Sequence, residues 1–471
     1  RNFYQIFVGS FYDSNGDGSG DLQGIIHQLD YLNNGTGEDS LGINGIWLTP
    51  IHPSPTYHKY DVMDYYAIDP KFGTMEDFEQ LVAECNERNI SLIMDLVLNH
   101  TSSRHPWFLA ALEEIRNDSE PFYRDFYIFT EERLGAGYYP TVGGLFYKAH
   151  FWGEMPDLNM DNEHLRAEVV NIVKFWLDKG VAGFRLDAVM HVYDSLSQNV
   201  EFWTWFVDIC KEIKEDVFLV GEVWSNEQVI MSYFPTGLSL FNFPFSGHDG
   251  TIARSINNGS GARLATELER YYNEMRMRHP DVTNCMFLSN HDTGRSAGFL
   301  IDPNKRRLAA AIYLLAPGNP FIYYGEEIGM TGTGIDENKR TAMLWSTTDE
   351  TGMTRNPAGT TNTNRPDEGV AEQLLNPDSL LNYYRAIIRL KANHQDIFDG
   401  VISKVDIENT GICAIQVGNV IVLHNLTDES IEINTNELGK SLSGFVSPTG
   451  EQATVSRGVL TLPPWASAVL S

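Results

Sequence analysis

One pattern recurs along this sequence: a short β-branched or aromatic run ends in a polar cluster, and an amphipathic helix leads to the next run. The clearest instance places Leu165, Val169, Ile172, Val173, Trp176 and Leu177 on one helical face and stops at Gly180. It then continues into Val181-Ala182-Gly183-Phe184-Arg185-Leu186-Asp187. Further strand-like runs lie at residues 3–8, 43–48, 92–98, 217–221, 285–288 and 321–324. Short strands separated by helices pair in parallel, and this many of them predict a closed (β/α) barrel, with an open doubly wound sheet as the rival. The runs end at Asn99-His100, Asp187, Glu222, Asn290-His291-Asp292 and Glu326-Glu327. In a barrel those ends form the active face.

Two stretches break the pattern. Residues 101–156 are rich in Tyr, Phe, Gly and Pro and too long for an ordinary connection, which predicts an inserted domain. From residue 391 short strands punctuated by Gly, Asn and Pro predict a C-terminal antiparallel β domain. The expected division is therefore barrel 1–100, insertion 101–156, barrel 157–390 and β domain 391–471.

Composition excludes several classes of function. With 63 Asp+Glu against 34 Lys+Arg the formal net charge is −29, which disfavours nucleic acid as a partner. No apolar run approaches the roughly 20 residues that span a bilayer, and the N-terminal run reads as a strand rather than a signal peptide. The four cysteines, Cys85, Cys210, Cys285 and Cys413, are too far apart for a zinc cluster and read as small buried hydrophobes. Chemistry is thus expected from oxygen and nitrogen side chains.

The acids carry that chemistry. Side chains alternate along a strand, so Arg185 and Asp187 point to the same side, where the guanidinium keeps the carboxylate ionised and aimed. An isolated Arg-x-Asp is usually structural, but Glu222 and Asp292 end later strands at the same face. Three converging acids repel one another, so one stays protonated while others ionise, and retaining glycoside hydrolysis needs that division of labour. His100, His191 and His291 lack the spacing of a hydrolytic zinc site and read as hydrogen-bonding partners of sugar hydroxyls. Tyr57, Tyr60, Trp107, Phe151, Trp152 and Trp224 are candidate stacking platforms, Tyr60 foremost.

Near the N-terminus Asp13, Asn15, Asp17 and Asp21 alternate with glycines, so that their side chains and a carbonyl near Ser19 can face one hard cation. An EF-hand would need Glu at the twelfth position, where this chain has Gly24. A structural Ca2+ is expected, against a plain solvated turn as the alternative.

These residues fall into ordered blocks that resemble the α-amylase family of glycoside hydrolases. The blocks are Asp95-Leu96-Val97-Leu98-Asn99-His100, Met155-Pro156-Asp157-Leu158-Asn159, Gly183 to Asp187, Gly221-Glu222-Val223-Trp224 and Phe287 to Asp292, with the loop Tyr60-Asp61-Val62-Met63-Asp64-Tyr65. The resemblance implies a (β/α)8 barrel with a domain inserted after the third strand and a C-terminal antiparallel β-sandwich. It implies Asp187 as nucleophile, Glu222 as general acid and base, and Asp292 as the residue holding the distorted sugar. It further implies that Arg185, His100, His291, Tyr60 and Asp61 complete that sugar's pocket and that Asp95 supports the barrel. His191 and Trp224, as a hydrogen-bonding ring and a stacking platform, are also expected to contact substrate. Ala188 resembles members that cut α-1,4 bonds, whereas Met190-His191 departs from the Lys-His of many α-amylases. The expected activity is α-1,4 cleavage in starch or maltodextrins. The alternatives are an α-glucosidase or neopullulanase/cyclodextrinase-like enzyme on short or branched oligosaccharides, and a catalytically inactive glycan-binding relative. A monomer is expected, extracellular or at the cell surface, with the cytoplasm as the alternative.

Overall fold

The computed structural model describes residues 1–37 and 39–471. Eight parallel strands form the centre: β1 (Phe3–Ile6), β2 (Gly45–Leu48), β3 (Ser91–Leu96), β4 (Gly183–Leu186), β5 (Phe218–Gly221), β6 (Ser239–Phe241), β7 (Asn284–Cys285) and β8 (Phe321–Tyr323). Each pairs with the next in register, β8 returns to β1, and a parallel bridge between Phe287 and Phe321 joins β7 to β8 and closes the ring. Seven of these strands coincide with the runs expected from the sequence, five lying wholly within them and β3 and β7 starting one residue earlier. The eighth, β6, is only three residues long and leads into the turn Phe243–Phe245, so it offered little periodicity to read.

Large side chains fill the barrel. Phe3, Trp47, Ile93, Val220, Phe241, Cys285, Phe287 and Phe321 form one buried cluster, with the Phe3 ring stacked on Phe321 (4.6 Å) and on Phe218 (5.0 Å). Glycine makes that crowding possible. A Cβ on Gly183 would stand 1.7 Å from the Phe218 carbonyl oxygen, and one on Gly45 would stand 2.5 Å from the Phe3 ring. The outward faces of the strands, such as Tyr4, Ile6, Ile46 and Leu48, join the larger core beneath the helices. The helix Glu163–Asp178 buries all six residues of the apolar stripe read from the sequence. Gly180 takes the left-handed conformation (φ 96°) that ends it.

Between β3 and β4 the chain forms a helix (Pro106–Arg116) and a small antiparallel sheet of Phe129–Thr130, Tyr138–Pro140 and Phe146–Lys148. It returns to the barrel through bridges pairing His100 with Asp157 and Tyr127 with Leu158. At the C-terminus a five-stranded and a three-stranded antiparallel sheet enclose a second core of Ile412, Leu423, Leu460, Leu462 and their neighbours. The helix Leu380–Ala392 runs past residue 391, so the first strand of this region begins only at Ile402. Lys391 itself is buried within this helix, its Nζ donating to the Ala316 carbonyl (3.3 Å). All four cysteines are buried free thiols.

The close approach at Gly183 makes a direct test possible. Gly183→Ala should cost at least about 3 kcal/mol, because the clash is with backbone that cannot rotate away. Thermal melts followed by circular dichroism should show a large fall in Tm or no folded state, and a wild-type Tm would refute this account of the packing.

Candidate active site

The site is built on one buried guanidinium. Arg185 lies inside the barrel near its C-terminal end, paired in register with Asp95 on β3, its charge 4.9 Å from the Trp47 ring. Its Nη1 donates to Asp95 Oδ1 (3.0 Å) and Asp187 Oδ1 (2.6 Å), and its Nη2 donates to Glu222 Oε2. Period-two alternation explains the Asp187 contact. Glu222 arrives because β5 lies beside β4, with Arg185 opposite Val220 and Leu186 opposite Gly221.

A second chain of hydrogen bonds runs across the barrel mouth. Gln5 Nε2 donates to His291 Nδ1 (2.8 Å), which puts the ring proton on Nε2; that nitrogen donates to the Tyr60 hydroxyl (2.8 Å), which donates to Asp95 Oδ2 (2.8 Å). Tyr60 also stacks flat on His291, centroids 5.4 Å apart. Burial holds His291 well below the usual histidine range, helped by the charges of Arg340 and Arg185, and also lowers His100, so both rings are neutral.

Arg340 was not anticipated from the sequence. It comes from the long loop after β8, donates through Nη2 to Asp292 Oδ1 (2.9 Å), and anchors itself to the His291 carbonyl (2.9 Å) and the Tyr57 hydroxyl (2.8 Å). Nothing in its local sequence marks it, because the loop brings it across more than forty residues to meet Asp292. His58 and Asp336 likewise join the pocket wall only through folding.

The pocket so formed has a volume of about 400 Å³. Asp187, Glu222 and Asp292 line it with Tyr60, His100, His291 and Trp224, while Phe151, Trp152 and Met155 of the inserted segment close one side. Other expected residues lie elsewhere. Arg185 sits beneath the carboxylates rather than on the wall. Asp61 is wholly buried, its Oδ1 taken by the hydroxyls of Ser54 (2.8 Å) and Thr56, so it braces the loop that carries Tyr60. His191 stacks on His150 (4.3 Å) at the edge of the cleft. Trp107 packs inside the inserted segment against Tyr65, His105 and Phe126. Ala188, directly after Asp187, is left-handed (φ 49°), a conformation that turns the chain sharply behind the carboxylate.

Protons are unequally held. Burial pushes Glu222 up to about 8; the negative charges of Asp187, Asp292 and Asp95 reinforce this and Arg185 opposes it. Asp95 is pushed up to about 7, again by burial first and against the pull of Arg185. One pocket thus combines a carboxyl that keeps its proton at neutral pH with Asp187, held directly by a guanidinium.

The loop of residues 13–21 lies apart from this pocket. Asp13 accepts from the amides of Asn15, Gly16 and Gly18 (2.7–3.1 Å), and Asp21 accepts from Ser14 (3.1 Å) and caps the helix Leu22–His27 through Gly24 (2.7 Å). Gly24 is required there, since a Cβ would stand 2.0 Å from the Tyr12 carbonyl oxygen. Asp13 and Asp21 are nearly buried, and the donor set of Asp13, Asn15, Asp17, Ser19 and Asp21 is all hard oxygen. Their oxygens are largely engaged by loop amides, and among the described residues no three acids or histidines are gathered as a metal cluster.

Comparison with known proteins places this arrangement. A family model described as the α-amylase catalytic domain matches residues 5–400. The chain is similar to α-amylase 3 of Dictyoglomus thermophilum, 42% identical over 92% of this chain and 86% of that protein. It is also similar to oligo-1,6-glucosidase of Parageobacillus thermoglucosidasius, 32% identical over 84% of each. Among solved structures, Eubacterium rectale Amy13B superposes with a TM-score of 0.94 at 37% identity, covering 100% of this chain and 95% of the other.

The proton on Glu222 yields a prediction. A reaction that takes its proton from this residue keeps its rate below about 8 and loses it as pH rises through that value. The pH profile of kcat/KM should therefore show an alkaline limb near 8, absent from the residual rate of Glu222→Gln; an alkaline limb displaced down to about 4 to 5 would contradict the assignment.

Proposed function

The chain belongs to the α-amylase family of glycoside hydrolases, and from that premise we propose that it cleaves α-1,4-glucosidic bonds in starch, maltodextrins or related α-glucans with retention of configuration. The observation that carries the reading is the unequal trio at the pocket. Asp187, held by the Arg185 guanidinium, attacks the anomeric carbon while Glu222 donates its proton to the departing oxygen. A covalent glycosyl-enzyme results, and Glu222, now ionised, takes a proton from the water that releases the sugar. Asp292, held by Arg340, accepts hydrogen bonds from the sugar's hydroxyls, and His100 and His291 line the pocket about it.

Replacing Asp187 by Asn or Glu222 by Gln should lower starch hydrolysis by at least about 10³-fold while circular dichroism shows the fold retained at the assay temperature, even though loss of a partner of Arg185 lowers Tm. Near-normal turnover in either variant, measured as reducing ends released, would sink the mechanism. Retention itself is read by proton NMR, which should show the α-anomer as first product.

The half-exposed Trp224 and the open sides of the cleft favour a polymer over a closed pocket for short oligosaccharides. The similarity to an oligo-1,6-glucosidase motivates the second reading, action on short α-gluco-oligosaccharides. Product profiles on amylose, pullulan and maltotriose separate the two: internal cleavage of amylose into mixed maltodextrins supports the first, and release of single glucose units from chain ends supports the second.

The reading includes a structural Ca2+ at Asp13, Asn15, Asp17, Ser19 and Asp21. Its support is an all-oxygen donor set with two nearly buried carboxylates at the ends of one glycine-bearing turn. Such an ion would tie the β1 end to the first helix and take no part in the chemistry. Chelation should lower Tm by several degrees, restored by added Ca2+, since a ligand bound only by the folded state stabilises it. An unchanged Tm would assign the turn to its amide hydrogen bonds alone.

A further inference from the structure

Beside the catalytic pocket lies a much larger groove, about 980 Å³ against about 400 Å³, and Trp224 lines both. Its walls come from the loops after β5, β6, β7 and β8. They include Trp224 and Phe243, whose rings stack 5.6 Å apart at 12°, and Gly247, Gly294, Gly298 and Gly332, which contribute no side chains. A second groove of about 600 Å³ also adjoins the pocket, sharing His58, Trp152, Asp336 and Arg340 with it.

These spaces have a direction. The leaving oxygen must lie beside Glu222, so Trp224, two residues further along, faces the leaving-group side. Arg340, which holds Asp292, lines the second groove. A linear glucan entering between Trp152 and Arg340 would cross the pocket and leave along the edge of the larger groove at Trp224, without filling its width. There the space widens to near the upper limit for small-ligand sites, far beyond the pocket that encloses a single ring. An α-1,6 linkage has one more rotatable bond than an α-1,4 linkage, so a branch swings away from its parent chain and needs width alongside it. Walls of glycine backbone supply that width, and the stacked Trp224 and Phe243 offer an apolar face for sugar C–H groups.

Resting on the reading of this chain as an α-glucan hydrolase, we propose that the groove beyond Trp224 receives an α-1,6-linked branch carried by the leaving-group portion of the substrate. The enzyme then cuts α-1,4 bonds close to branch points instead of stopping short of them.

Gly298 gives the means to test this. It is exposed in the groove wall, its φ is not left-handed, and a Cβ there would meet nothing within 4 Å. Gly298→Leu and Gly298→Trp therefore fill the groove in two steps, and His248→Trp fills it from the exposed His248, another residue of its lining. The probes are maltoheptaose and a maltoheptaose bearing one α-1,6-linked maltosyl branch. Wild type should cleave both with kcat/KM within about threefold. Gly298→Trp and His248→Trp should each lower the branched value by about tenfold or more, with Gly298→Leu between, while the linear value and Tm stay near wild type. Equal loss on both substrates would make the groove the path of the main chain and overturn the proposal, as would no loss on either, or a wild type that cleaves the linear probe alone. Failure of wild type on both probes would instead overturn the parent reading.

Discussion

The buried charge of Arg185 is the constraint on which the rest of this site depends. A guanidinium inside a barrel is costly unless its charge and donors are met, and removing a single partner of such a group typically costs about 3–5 kcal/mol. Asp95, Asp187 and Glu222 meet its charge and both Nη groups, from three adjacent strands. Two of those partners also line the pocket. The contacts that satisfy the arginine are thus the contacts that aim the reactive carboxylates, and stability and chemistry share one set of hydrogen bonds.

The barrel beneath makes that placement rigid. Phe3, Phe218 and Phe321 stack in its interior, Trp47 donates its indole N–H to Asp95 (3.2 Å), and glycines at 45 and 183 give the rings room. Arg185 therefore cannot sink or tilt, since an aromatic floor lies directly below it. Above, the Gln5–His291–Tyr60–Asp95 chain ties β1, the loop after β2, β3 and the loop after β7 together. Preorganisation of this kind lets charge develop in the pocket without waiting for side chains to rearrange.

Exposure divides the cleft into fixed and open parts. The carboxylates and their supports are largely buried, whereas Trp152 and Trp224, which also line the pocket, are about half exposed. Both sit on loops rather than strands, where substitutions can alter which sugars are held without disturbing the barrel. The chain's surplus of negative charge has no evident part in holding a neutral polymer, and most of it faces solvent.

What the sequence determined by itself is whatever depends on local periodicity. Alternation along Gly183-Phe184-Arg185-Leu186-Asp187 put the arginine and the carboxylate on one side. The helical stripe from Leu165 to Leu177 announced its buried face, and polar residues at strand ends announced the active rim. Asp61 and Lys391 escaped that reading because a charged letter says nothing about whether two hydroxyls or a carbonyl await it in the interior. Arg340 and the width of the groove at Gly298 escaped it too. They arise where loops from distant strands meet, and only closure of the ring decides which loops those are.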